Sequence, residues 1–67
     1  MFKYEYTINW NGQAFKDVFE CEGNEDAKRE VMRRLKVTGI PAGKYVFVDI
    51  MRLDDSKSII EDELWRA

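Results

Sequence analysis

The sequence contains no histidine, so the commonest general base and the commonest transition-metal ligand are both missing, and no enzymatic role is expected. Its one cysteine, Cys21, cannot close an internal disulfide. With no neighbour to activate it, this thiol is expected to be a small core residue, and a reducing cytoplasmic setting is the expectation. Glycine is sparse, at positions 12, 23, 39 and 43, without the spacing that cradles a phosphate. No apolar run approaches the roughly 18 residues that a membrane-crossing helix requires. The first ten residues, MFKYEYTINW, alternate polar and apolar side chains and lack both a basic stretch and a continuous apolar stretch, so they are not expected to act as a signal peptide. Positive charge is not in excess either: 11 Lys and Arg face 13 Asp and Glu, for a net charge of −2. General attraction to nucleic acid or to an anionic membrane is therefore not expected. Repeats, low-complexity tracts and linkers are also missing, which makes residues 1–67 a single small domain.

What is present is a chain with 45% hydrophobic and 13% aromatic residues, enough for a packed core, although at this length only about 60% of the unfolded surface can be buried. Phe2, Tyr4, Tyr6, Ile8 and Trp10 alternate with Lys3, Glu5, Thr7 and Asn9, the period of a strand with one buried face. Asn11-Gly12 suits a two-residue type I′ turn, where both positions need φ > 0. The turn sets a register in which Ile8 faces Phe15, Tyr4 faces Phe19 and Phe2 faces Cys21, while Lys3 faces Glu20 and Thr7 faces Lys16. Asp17 alone breaks the pattern, falling among apolar residues opposite Tyr6.

Asn24 to Lys36 carries the one helical pattern. Ala27, Val31 and Leu35 recur at intervals of four with Met32 beside them, a stripe suited to covering a sheet. Asn24 is the expected N-cap, Glu25 and Asp26 suit the positive end of the helix dipole, and Gly39 is placed to end the helix in the left-handed region. Pairs are expected between Glu25 and Arg29 and between Glu30 and Arg34.

Ile40-Pro41-Ala42-Gly43 is read as a type I turn, followed by a strand from Lys44 to Leu53. That strand is apolar on both faces, with Val46, Val48 and Ile50 assigned to the helix-covered side and Tyr45, Phe47, Met51 and Leu53 to the other. Ser58 and Glu61 have the spacing of a capping box, and Ile60 and Leu64 the spacing of a helix face, so residues 58–66 are read as a short helix, with a fourth strand as the rival. The fold expected is α+β, β-β-α-β, with a three-stranded antiparallel or mixed sheet in the order 2-1-3 under one helix.

Two surfaces are candidates for binding. A lone helix covers only one face of a sheet, so the exposed side of the third strand needs a partner or a second cover. Tyr45, Phe47, Met51 and Leu53, with Trp65 and with Trp10 beside the hairpin turn, are the candidate partner-binding residues. The alternative is the basic helix surface of Lys28, Arg29, Arg33, Arg34 and Lys36, which could contact phosphate but whose charge is largely answered by acids one turn away. The carboxylates Asp54, Asp55, Glu61, Asp62 and Glu63 lack the ligand spacing and central glycine of a calcium loop, so no metal and no cofactor is expected. They form a solvated acidic edge that could also meet a basic partner.

The layout of hairpin, helix and strand, with Pro41-Ala42-Gly43 introducing the last strand, is loosely similar to small phage proteins that block host enzymes, among them an inhibitor of bacterial RNA polymerase. The resemblance transfers no functional residue. It implies a compact viral or mobile-element inhibitor or regulator that binds another protein. The reading is thus a small non-catalytic protein-binding module in the cytoplasm, with a nucleic-acid-binding domain and a self-associating subunit or homodimer as alternatives.

Overall fold

The computed structural model describes all residues from Met1 to Ala67. Strands β1 (Phe2–Trp10) and β2 (Gln13–Cys21) form a hairpin, helix α1 (Asn24–Val37) follows, and strands β3 (Tyr45–Arg52) and β4 (Lys57–Arg66) complete the chain. The class is α+β. Asn11 and Gly12 both adopt positive φ, 52° and 76°, and the register is the one their turn implies, with Ile8 opposite Phe15 and Tyr6 opposite Asp17. β3 runs antiparallel to β1, and hence parallel to β2 across the helical crossover.

The sheet has four strands in the order β2-β1-β3-β4, with every neighbouring pair antiparallel. The short C-terminal helix expected over residues 58–66 is therefore a strand. The reason lies in the pairing: two register shifts, between Val48 and Ile50 and between Ile50 and Met51, insert extra β4 residues opposite β3. Each bulge breaks the period-two alternation, and the one between Ile60 and Glu63 puts Ile60 on the helix-covered face and Leu64 on the outer face although they are four residues apart. Asp62 takes the left-handed conformation at the first bulge, with φ of 44°, and its N–H donates to Asp49 Oδ1 at 3.0 Å.

The core lies between α1 and one face of the sheet. Ala27, Val31 and Leu35 are buried with Tyr4, Tyr6 and Ile8 of β1, Phe19 of β2, Val46, Val48 and Ile50 of β3, Ile60 of β4 and Ile40 of the connection. The helix sits over β1 and β2, and the half-buried Trp10, Ile59 and Trp65 pack against the cluster margin.

Two local expectations shift by one residue. Gly23, extended, is the N-cap, without a side-chain capping bond. Asn24 opens the helix instead, and its Oδ1 accepts from the Tyr4 hydroxyl at 2.8 Å. That bond satisfies the one polar group of a fully buried ring. The turn before β3 runs from Pro41 to Lys44, closed by the Lys44 N–H on Pro41 O at 3.3 Å. Gly43 occupies its third position with φ of 84°, as a type II turn needs. Gly39 does end the helix region at φ of 86°.

Tyr4→Phe is expected to cost about 1 kcal/mol in urea denaturation, the usual net worth of such a hydrogen bond. Asn24→Ala should cost a similar amount, and the double variant no more than the larger single one, because both changes remove the same bond.

Candidate functional site

Alternation along the strands gives the sheet an outer face that no element covers. Reading across the register, one row holds Ala14, Asn9, Phe47 and Leu64, and the next holds Lys16, Thr7 and Asp49, with the β4 bulge beside them. A third row holds Val18, Glu5, Met51 and Ser58, and Tyr45 pairs with Arg66 beyond the first. Tyr45, Phe47, Leu64 and Val18 are 59%, 51%, 54% and 45% exposed, and with the half-buried Met51 they are the large apolar side chains of this face. Sheet faces that meet only water carry polar residues at such positions.

The candidate residues divide between the two faces. Tyr45, Phe47 and Met51 lie on the outer face as the alternation of β3 implies. Leu53 lies past the end of β3, in the turn toward β4, and its N–H donates to Lys3 O at 2.9 Å. Trp65 pairs with Val46 and so belongs to the helix side, not beside Phe47. Trp10 likewise packs against the core margin. Leu64 takes the place assigned to Trp65, because Leu64 is the cross-strand partner of Phe47. Leu64 was hidden by the helical reading of its segment. Val18 had a visible signal, as the one large apolar residue among the polar alternates of β2.

The basic helix surface is internally paired. Lys28 meets Glu25 at 3.4 Å, Arg29 meets Asp26, and Arg33 and Arg34 both meet Glu30, at 2.7 and 2.6 Å. The expected Glu25 to Arg29 pair is replaced by two pairs at a spacing of three, and the Glu30 to Arg34 pair is present. Of the five candidate cations, Lys36 alone lacks an ion-pair partner.

Arg34 also resolves the anomaly of Asp17. Its guanidinium lies 5.0 Å from the Phe19 ring centroid and 5.4 Å from that of Tyr6, and it reaches Asp17 Oδ2 at 3.3 Å. The aspartate sits at the open margin of the covered face, where a helix cation meets it over two aromatic rings. Asp17 Oδ1 accepts from the Val18 N–H at 2.8 Å. In a hairpin closed by a two-residue turn, the even positions of β2 point their N–H groups away from β1, so this carboxylate occupies a donor on the free edge.

Two groups that could carry chemistry are tied into the fold. Burial pushes the Cys21 thiol above its ordinary pKa, and Sγ lies 3.5 Å from Gly23 O. Burial likewise pushes the Tyr4 phenol up. The acidic residues of β4 and its preceding turn do not converge on a common point with metal-binding geometry. Arg52 holds Asp54 through two bonds of 2.7 and 3.1 Å while lying 3.8 Å over the Phe2 ring. No helix is long and apolar enough to cross a membrane.

Hydrogen bonds from Arg33 and Arg34 lower the Glu30 carboxyl from an ordinary 4.5 to about 2. A depressed folded-state value stabilises the folded chain above the unfolded pKa, and that contribution is lost as pH falls from 4.5 toward 2. Glu30→Gln should therefore cost about 1 kcal/mol at pH 7, as expected for two surface pairs, and only a small remainder at pH 2, in thermal unfolding at both pH values. Asp17→Asn should change stability by less than about 1 kcal/mol, since its pair is largely solvated.

Comparison with protein-family models, with curated proteins and with solved structures finds no match for this chain.

Proposed function

We propose that the chain is a small non-catalytic protein-binding module that acts as an inhibitor or regulator by occupying a surface of its partner with the outer face of its sheet. The observation that carries this reading is the row Phe47 and Leu64, flanked by Tyr45, standing more than half exposed on a face that no element of the chain covers. Exposed aromatic and aliphatic side chains grouped in this way are the usual centre of a protein interface. Such burial needs no catalytic group, and the absence of histidine is compatible with it. The lone half-buried thiol of Cys21 suits a reducing compartment such as the cytoplasm.

The nucleic-acid reading is weaker on physical grounds. Phosphate contact through α1 would have to draw Lys28, Arg29, Arg33 and Arg34 away from carboxylates they already meet, at a cost that offsets part of the counterion release driving such binding.

The variant Phe47→Ser with Leu64→Ser should abolish capture of the native partner while leaving the thermal unfolding midpoint within a few degrees of wild type. Arg29→Glu with Arg33→Glu should leave capture intact. The reverse ranking, together with binding to random duplex or single-stranded nucleic acid that weakens steeply with salt, would transfer the function to the helix.

A further inference from the structure

Resting on the outer sheet face as the docking surface, we propose that this face also closes on a second copy of the chain, in a weak two-fold dimer of stacked sheets that opens before another protein docks. The size of the face sets the first constraint. Four strands of about eight residues span roughly 19 by 26 Å, near 500 Å². A helix about 10 Å wide would cover only part of that area. An identical sheet covers all of it and buries about 1,000 Å² over the two copies, the lower bound for a specific interface.

The edges set the second constraint. Two copies joined edge to edge would need the free N–H groups of β2 or β4. The Val18 N–H is taken by Asp17, and β4 is bulged twice with the Asp62 N–H turned to Asp49. Strand addition is thus obstructed at both edges, and the face between them is what remains.

Charge sets the third. The face carries Lys3, Lys16 and Arg66 among Glu5, Glu20 and Asp49, with Glu61 and Asp62 at the bulge, and none of these has an ion-pair partner within the chain. An occupant of one sign would leave half of them unanswered, whereas a second copy presents both signs. The register shows how they meet. Lys16 lies on β2 and the bulge acids Glu61 and Asp62 on β4, at opposite edges of the sheet but in the one row that also holds Thr7 and Asp49. A two-fold axis running along the strands between β1 and β3 exchanges the two edges, so that Lys16 of each copy lies over Glu61 and Asp62 of the other. The same axis sets Phe47 over Asn9 and Leu64 over Ala14, large side chains against small ones. Stacked sheets cross at about 30°, which displaces the edge positions by about 4 Å, within the reach of a lysine. An axis across the strands through this row would set Lys16 on Lys16 and Asp49 on Asp49 instead. Glu5 meets Met51 under the favoured axis and stays without a cation, which together with the small area keeps the dimer weak.

The test is sedimentation of the full chain from about 10 μM to about 1 mM, with amide chemical shifts followed over the same range. The mass should rise toward that of a dimer while Phe47, Met51 and Leu64 shift. Lys16→Glu and Glu61→Lys should each weaken dimerisation about tenfold in chains that still melt normally, because each sets like charges together twice per dimer. An equimolar mixture of the two variants should dimerise at nearly wild-type strength, and so should the chain carrying both changes, since lysine again faces glutamate at both places. A chain that stays monomeric over the whole range would overturn the dimer and leave the docking face to the capture experiment with Phe47→Ser and Leu64→Ser. Dimerisation with shifts confined to α1 would also overturn it. Dimerisation through the outer face that neither charge reversal weakens, or that the mixture does not restore, would overturn the two-fold arrangement. Restoration by the mixture, alongside partner capture that survives Phe47→Ser and Leu64→Ser, would uphold the dimer and overturn the reading of this face as the site for another protein.

Discussion

Val31 and Leu35, one helical turn apart and fully buried, share a cluster with the inward rows of β1 and β3. Because the chain contains one helix, this contact can be made on one side of the sheet only, and the other architectural facts follow from it. Tyr4, Ile8, Val46, Val48 and Ile50 are sealed from water, while the residues between them are left facing outward whatever their polarity. At roughly 25 cal/mol per Å² the apolar burial in so small a domain leaves a thin stability margin. The apolar row of Tyr45, Phe47 and Leu64 left in water on the outer face is therefore not explained by what this fold needs for its own stability.

Arg34 shows how a small core is closed at its margin. One side chain covers Tyr6 and Phe19, neutralises Asp17 and, with Arg33, binds Glu30. The cation stacks on the ring faces, where the aromatic quadrupole is negative, and keeps its remaining donors for carboxylates. A lysine would supply the charge without the flat fork that makes these contacts simultaneous. The cluster also turns a sequence anomaly into edge protection, since the Asp17 carboxylate meets both Arg34 and a free strand-edge N–H.

The two faces differ in how their charges are paired. Cations on α1 find acids at spacings of three and four, as helical geometry permits. The outer-face acids lie on strands, where pairing depends on what register places opposite. Glu5 stands between Val18 and Met51, and Asp49 opposite Thr7. Charges of both signs, Lys3, Glu5, Lys16 and Asp49, are thus left without ion-pair partners on the outer face, while positive charge on the helix is largely paired.

Alternation and local turn chemistry determined most of this fold from the sequence alone. The strict period of residues 2–10, the Asn11-Gly12 turn and the four-residue spacing of Ala27, Val31 and Leu35 are signals between near neighbours. They suffice for the hairpin register and the helix, whereas the inward assignment of Val46, Val48 and Ile50 rests only on the β-branched composition of that side of β3. The tertiary structure decided what depends on partners distant in the chain. Residues 58–66 form a bulged strand because β3 offers an edge to pair with and Asp49 holds the Asp62 N–H, neither of which is encoded in the spacing of Ile60 and Leu64. The same bulges bring Leu64, and not Trp65, beside Phe47. Asn24 bonds Tyr4 instead of capping its own helix because a buried hydroxyl twenty residues earlier needs an acceptor, and an unsatisfied buried donor costs more than an unfilled cap at a solvated helix end.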